Sequence, residues 1–178
     1  MKRLLALAAA LSALGCGPAN KPPPAIESFF PADNEVAGWA EDASVGKPGV
    51  EVATTAKAAT DLVDGAADPF VSQGMVGFAW QTYVKGTYQL DLRVWQFASA
   101  PAGADAFTWL FANASLYKAN TWTDVAVGTS GKVSDTGSGW WLSANKGAYI
   151  IEAKVKPKDS TSRADVETVT AAVAGKMP

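Results

Sequence analysis

The chain has 178 residues, with 17 Asp and Glu against 15 Lys and Arg, one cysteine and no histidine. A net charge of −2 without a basic cluster excludes the electrostatic footprint of nucleic-acid binding. Without histidine there is no Ser-His-Asp or Cys-His nucleophile and no histidine-ligated metal centre, and no Gly-rich phosphate loop or dinucleotide fingerprint is present, so neither an enzyme nor a cofactor is expected.

The chain opens MKRLLALAAALSALGCG. Lys2 and Arg3 precede an apolar run over residues 4–14 that is too short to span a bilayer, which takes about 20 residues. A basic start, a short apolar run and then small residues describe a secretory signal over residues 1–15. Cys16 has no partner for an internal disulfide, so its thiol is free, intermolecular or modified. The stretch Ala13-Leu14-Gly15-Cys16 resembles the lipobox of bacterial lipoproteins, although Ala13 and Leu14 stand in swapped order relative to the usual pattern. That resemblance implies lipidation of Cys16, cleavage just before it, and anchoring to a membrane of the cell envelope with the domain outside the cytoplasm. Loss of Lys2 and Arg3 would take two positive charges away and move the net charge from −2 to about −4. Residues 16–25 then read as the lipidated cysteine and a stalk. Pro18, Pro22, Pro23 and Pro24 favour extended polyproline backbone.

Residues 26–178 are long enough for one domain with its own core, and Ile26, Phe29 and Phe30 are placed to dock on it. Over residues 56–73 the apolar positions Ala59, Leu62, Val63, Ala66, Ala67 and Phe70 predict an amphipathic helix. Pro69 either kinks it or opens a second short helix capped by Asp68. Residues 75–85 and 87–97 alternate as a hairpin about Lys85-Gly86. Phe78, Trp80 and Thr82 supply an apolar side, while Gln89, Asp91 and Arg93 supply a wet one. Phe107, Leu110, Phe111 and Ala114 predict a second helix over residues 102–117. Strands follow over 122–127, 132–134, 139–143 and 148–156, with Asn145-Lys146-Gly147 as a turn. A last helix runs over residues 162–176, with Val166, Val169 and Val173 on one stripe. The order predicts an α+β domain: an antiparallel sheet of about five to six strands with about three helices packed on it.

Two features are candidates for chemistry. Asp61, Asp64 and Asp68 fall on one side of the first predicted helix, opposite its apolar stripe, so they mark its solvated face. They do not match the spacing of a calcium loop, and a metal or carboxylate-based enzymatic site built on them is a subordinate alternative. The chain also carries seven tryptophans, most of which are expected in the core. Trp80 belongs to the apolar side of its strand and reads as core. Trp95 alternates with Asp91 and Arg93 and so lies on the more polar face. Trp140 and Trp141 are adjacent, so in a strand they point to opposite faces. Trp95, Trp140 and Trp141 are therefore the candidates for an aromatic pocket that takes a small apolar or sugar ligand.

Two stretches, Phe30-Pro31 with Gly38-Trp39 and Leu62 through Gly74, are similar to a family of exported bacterial proteins of unassigned function. Asp64, Gly65, Ala66, Ala67, Asp68, Phe70 and Gly74 carry the likeness, and Pro69 and Gln73 depart from it. The resemblance implies no activity. It implies that Gly65 serves close helix packing. The expectation for function is a membrane-anchored binding or interaction module, meeting a protein partner or a small ligand.

Overall fold

The computed structural model describes residues 24–178. The expected signal segment, Cys16 and all but the end of the expected stalk lie outside the described residues.

The domain is α+β, built on one antiparallel sheet of eight strands. The strands are β1 (Ala40–Glu41), β2 (Glu51–Ala53), β3 (Gly77–Lys85), β4 (Tyr88–Gln96), β5 (Trp122–Val125), β6 (Ser130–Asp135), β7 (Trp140–Lys146) and β8 (Tyr149–Lys156). Their order is β1-β3-β4-β8-β7-β6-β5, and β2 also pairs with β3. The two strands beyond expectation are β1 and β2, which divide the free edge of β3 between them: Ala40 faces Val84, and Glu51 faces Trp80. Neither has the length or the alternation that marks a strand in sequence; the exposed edge of β3 recruits them.

The helices are α1 (Ala56–Val63), α2 (Asp68–Ser72), α3 (Ala100–Asn113), α4 (Ser115–Lys118) and α5 (Ser160–Lys176). One sheet face carries Leu90, Leu92, Val94, Ile151, Ala153 and Leu142. It is sealed by Val166, Val169 and Val173 of α5 and by Ile26, Phe29 and Phe30 of the N-terminal arm, all of them buried. The Tyr83 hydroxyl donates to the Pro31 carbonyl at 2.9 Å and ties that arm down. The α5 stripe is the one the valine spacing predicts. Its start is fixed by a capping box in which an Asp159 oxygen accepts from the Ser162 N–H at 2.7 Å and the Ser162 hydroxyl accepts from the Asp159 N–H at 2.9 Å.

Asp159 also accepts from the Tyr88 hydroxyl at 2.6 Å, and these bonds, Tyr88's first, hold its carboxyl below the usual carboxylate range. A carboxyl depressed in the folded state adds stability above its unfolded pKa of about 3.9 and loses that contribution as pH falls through the folded value. An Asp159→Asn variant is therefore expected to melt lower than the parent at neutral pH. The gap should close as pH is taken below about 3.9. Melting midpoints of the two proteins across that range check this.

The first predicted helix is two. Asp64 (φ 44) and Gly65 (φ 75) both take left-handed backbone, which ends α1 and turns the chain before α2. A Cβ on Gly65 would meet nothing within 4 Å, so the glycine serves backbone conformation and not close packing. The Asp68 side chain does not cap α2. Ala67 holds the N-cap position, and Pro69 sits in the first turn, where a missing N–H costs nothing. The second predicted helix also divides, at Ala114, into α3 and α4.

Candidate functional site

The second sheet face carries three rows of side chains, fixed by strand register. The first row is Phe78, Trp95 and Ile150; the second is Trp80, Arg93, Glu152 and Ser143; the third is Thr82, Asp91, Lys154 and Trp141. Directly paired residues in an antiparallel sheet share a face. The side of β3 that reads as apolar therefore shares a face with the side of β4 that reads as wet. Trp80 stands opposite Arg93, and Thr82 opposite Asp91.

The helices decide what becomes of each row. Phe70 of α2 stacks on Trp95 at 3.9 Å with the rings 3° from parallel, and Phe78 lies 4.2 Å away. Trp95 is fully buried. It is not among the residues that line the open cleft further along this face; its strand alternation placed it on the right face, but the helices cover that end of the face.

The second row is a buried polar network. Trp95 Nε1 donates to Glu152 at 2.8 Å, and the Tyr117 hydroxyl of α4 donates to the other oxygen of Glu152 at 2.9 Å. Arg93 makes a two-pronged pair with Asp91, at 2.7 and 3.0 Å. Burial pushes the Tyr117 hydroxyl well above its ordinary pKa, and the Glu152 charge adds to this. Burial works against the charge on Arg93, but Asp91 and then Glu152 outweigh it, so its pKa is raised. A buried carboxylate with two donors and a nearby guanidinium meets the condition under which buried charge is tolerated.

Of the third row, Trp141 is covered by α4, and Thr82, Asp91 and Lys154 contribute to the floor of an open cleft of about 510 Å³. Trp80, Val45, Leu116 and Asn120 line it, together with Thr136 and Ser138 of the β6–β7 turn. Trp140 and Trp141 both border it, and they point to opposite sheet faces, as their adjacency requires. The Trp140 indole donates to the Asp159 carbonyl at 2.8 Å, and the Arg163 guanidinium lies 5.0 Å from its ring centroid, so that side chain is committed to the start of α5. Trp141 is buried against Tyr117 and Trp122. A second hollow of about 270 Å³ continues past Leu116, Trp141 and Lys154 toward Arg93, Glu152 and Asp68.

Sequence reasoning missed Trp80 and Lys154. The signal for Trp80 was its cross-strand register with Arg93, which is set by a turn at Gly86-Thr87, one residue later than the Lys85-Gly86 turn expected from sequence. Asp61, Asp64 and Asp68 are all exposed and are not gathered. The first pairs with Lys57 at 2.6 Å on α1, the second sits in the left-handed turn, and the third belongs to α2. They therefore do not share one helix face as the unbroken periodicity suggested. No group of three or more His, Cys, Asp or Glu side chains that could hold a metal ion occurs among the described residues. No helix among them is long and apolar enough to cross a membrane.

No protein-family profile matches the chain, and no curated protein does. Among solved structures the fold is similar to the extracellular domain of PknH from Mycobacterium tuberculosis. The TM-score is 0.51 at 11% identity, over 86% of this chain and 98% of that one. At that identity the likeness concerns the fold alone, and it agrees with the α+β architecture.

Proposed function

We propose that the chain is a ligand-binding module displayed outside the cytoplasm and tethered to a membrane by lipidated Cys16. The observation that carries the binding reading is the uncovered part of the second sheet face. A cleft of about 510 Å³ falls within the size range of small-molecule sites, and it combines aromatic walls with a few convergent polar groups. The lipobox-like start and the proline-rich stalk support the tether. The likeness to the extracellular domain of PknH is in keeping with it. The module binds without turnover on this reading, in line with a chain that lacks histidine.

Two measurements test this. The parent is expected in the membrane fraction and a Cys16→Ser variant in the soluble fraction; a variant that stays with the membrane contradicts the tether. For the cleft, native mass spectrometry of the domain incubated with the small-molecule fraction of an envelope extract is expected to show a one-to-one adduct. Ser138 is an exposed turn residue lining the cleft, so Ser138→Trp fills the site at little folding cost. That variant should lose the adduct. An adduct that survives the substitution places binding elsewhere.

A further inference from the structure

The cleft has the opposite charge bias to the chain. The whole sequence carries a net −2, yet the cleft sets two ammonium groups, Lys154 and Lys156, against one carboxylate, Asp91. Both Asp91 oxygens are taken by Arg93, at 2.7 and 3.0 Å. Glu152 lies two residues from Lys154 on the same strand face, and its oxygens are engaged by Trp95 and Tyr117. Lys154 has no ion-pair partner among the described residues. Its ammonium stands 4.2 Å from the centroid of the Trp141 ring, a cation–π contact that holds the group in place while leaving its N–H donors available. The indole N–H groups of Trp80 and Trp141 are buried and have no acceptor. The one carboxylate of the cleft is thus already neutralised, while, among the described residues, its two ammonium groups are not.

We propose that the cleft selects an anionic small molecule: a carboxylate or comparable oxyanion carried on a flat apolar or sugar body. The anion sits on Lys154, with Lys156 adding to the local potential. The body lies against Trp80, beside the Lys154–Trp141 pair. This rests on the cleft being the binding site, and it adds the charge class of the ligand.

Two fluorescent probes with the same apolar body separate the claims. One is 1-anilinonaphthalene-8-sulfonate, which is anionic; the other is N-phenyl-1-naphthylamine, which is neutral. Each is titrated into the folded domain, its Lys154→Gln variant, its Ser138→Trp variant, and a Lys118→Gln control outside the cleft. A hydrogen bond to a charged group corresponds to roughly tenfold or more in affinity. The sulfonate dye is therefore expected to bind at least about tenfold tighter than the neutral dye. Lys154→Gln should remove most of that difference, and Lys118→Gln should leave it unchanged. Equal binding of the two dyes, weakened alike by Ser138→Trp and unmoved by Lys154→Gln, overturns the anionic selectivity and leaves the cleft as the binding site. Binding that ignores Ser138→Trp, or no binding of either dye, overturns both readings.

Discussion

A Trp95→Ala variant is expected to be the most destabilised single substitution in the domain. The ring is fully buried between Phe70 and Phe78, with centroids 3.9 and 4.2 Å away. Truncating a buried tryptophan costs about 3–5 kcal/mol, the sum of lost apolar transfer and the cavity left behind. In this case a further penalty follows, because the indole N–H is one of two donors satisfying the buried Glu152 carboxylate. A melting midpoint lowered by at least about 6 °C is the expected reading for a domain of this size. Trp95→Phe keeps the stack and deletes the donor, so it isolates the hydrogen bond, at about 1–3 kcal/mol. Trp80→Ala should cost less than Trp95→Ala, since Trp80 is only half-buried at the cleft edge. Equal losses for the two would contradict the division of this sheet face into a covered end and an open end.

The second large effect reverses a familiar rule. Glycine to alanine inside a helix ordinarily gains about 0.5–1 kcal/mol. Gly103 lies within α3, and a Cβ there would stand 2.7 Å from the Gly147 carbonyl oxygen and 3.1 Å from the Ala148 carbonyl carbon. Both atoms are backbone of the β7–β8 turn, so no side chain can swing aside. Gly103→Ala should force the helix away from the sheet and cost about 1–3 kcal/mol, as overpacking does. Gly175, within α5, has nothing within 4 Å of an added Cβ, and Gly175→Ala should follow the ordinary rule and stabilise. Denaturant midpoints of the two variants, opposite in sign, measure whether α3 owes its seat to the missing side chain.

What could be read from the residues alone was whatever depends on local periodicity. The valines of α5, the hairpin about Gly86 and the opposed directions of Trp140 and Trp141 follow from spacing and turn chemistry, and the structure has them. What could not be read depends on which part of the sheet the helices cover. Trp95 and Trp80 share one face, and no pattern within either strand says that α2 caps the first and leaves the second beside a cleft. The break after Val63 was hidden for another reason. The apolar residues resume after the left-handed turn in a phase that still fits a single helix, so periodicity runs through a point where the backbone does not. The short strands β1 and β2 have no local signature because they exist by pairing with β3.

This division also explains why the polar network and the cleft adjoin. The charged groups of the second row are paired: Glu152 with Trp95 and Tyr117, and Arg93 with Asp91. The third row, two residues further along the strands, leaves Lys154 bordering both hollows. Paired charged groups beside an open floor help to hold that floor in shape, which is what a preformed site requires.

The central claim is that the uncovered part of this sheet face binds a ligand. Nitrogen-15 correlation spectra of the domain report it most directly, because each of the seven tryptophan indoles gives its own N–H signal. Titration with the small-molecule fraction of an envelope extract should move the indole signals of Trp80 and Trp141, while those of Trp39 and Trp95, buried away from the cleft, stay in place. Stationary signals from Trp80 and Trp141, or a response confined to Trp109 and Trp122, would contradict the account.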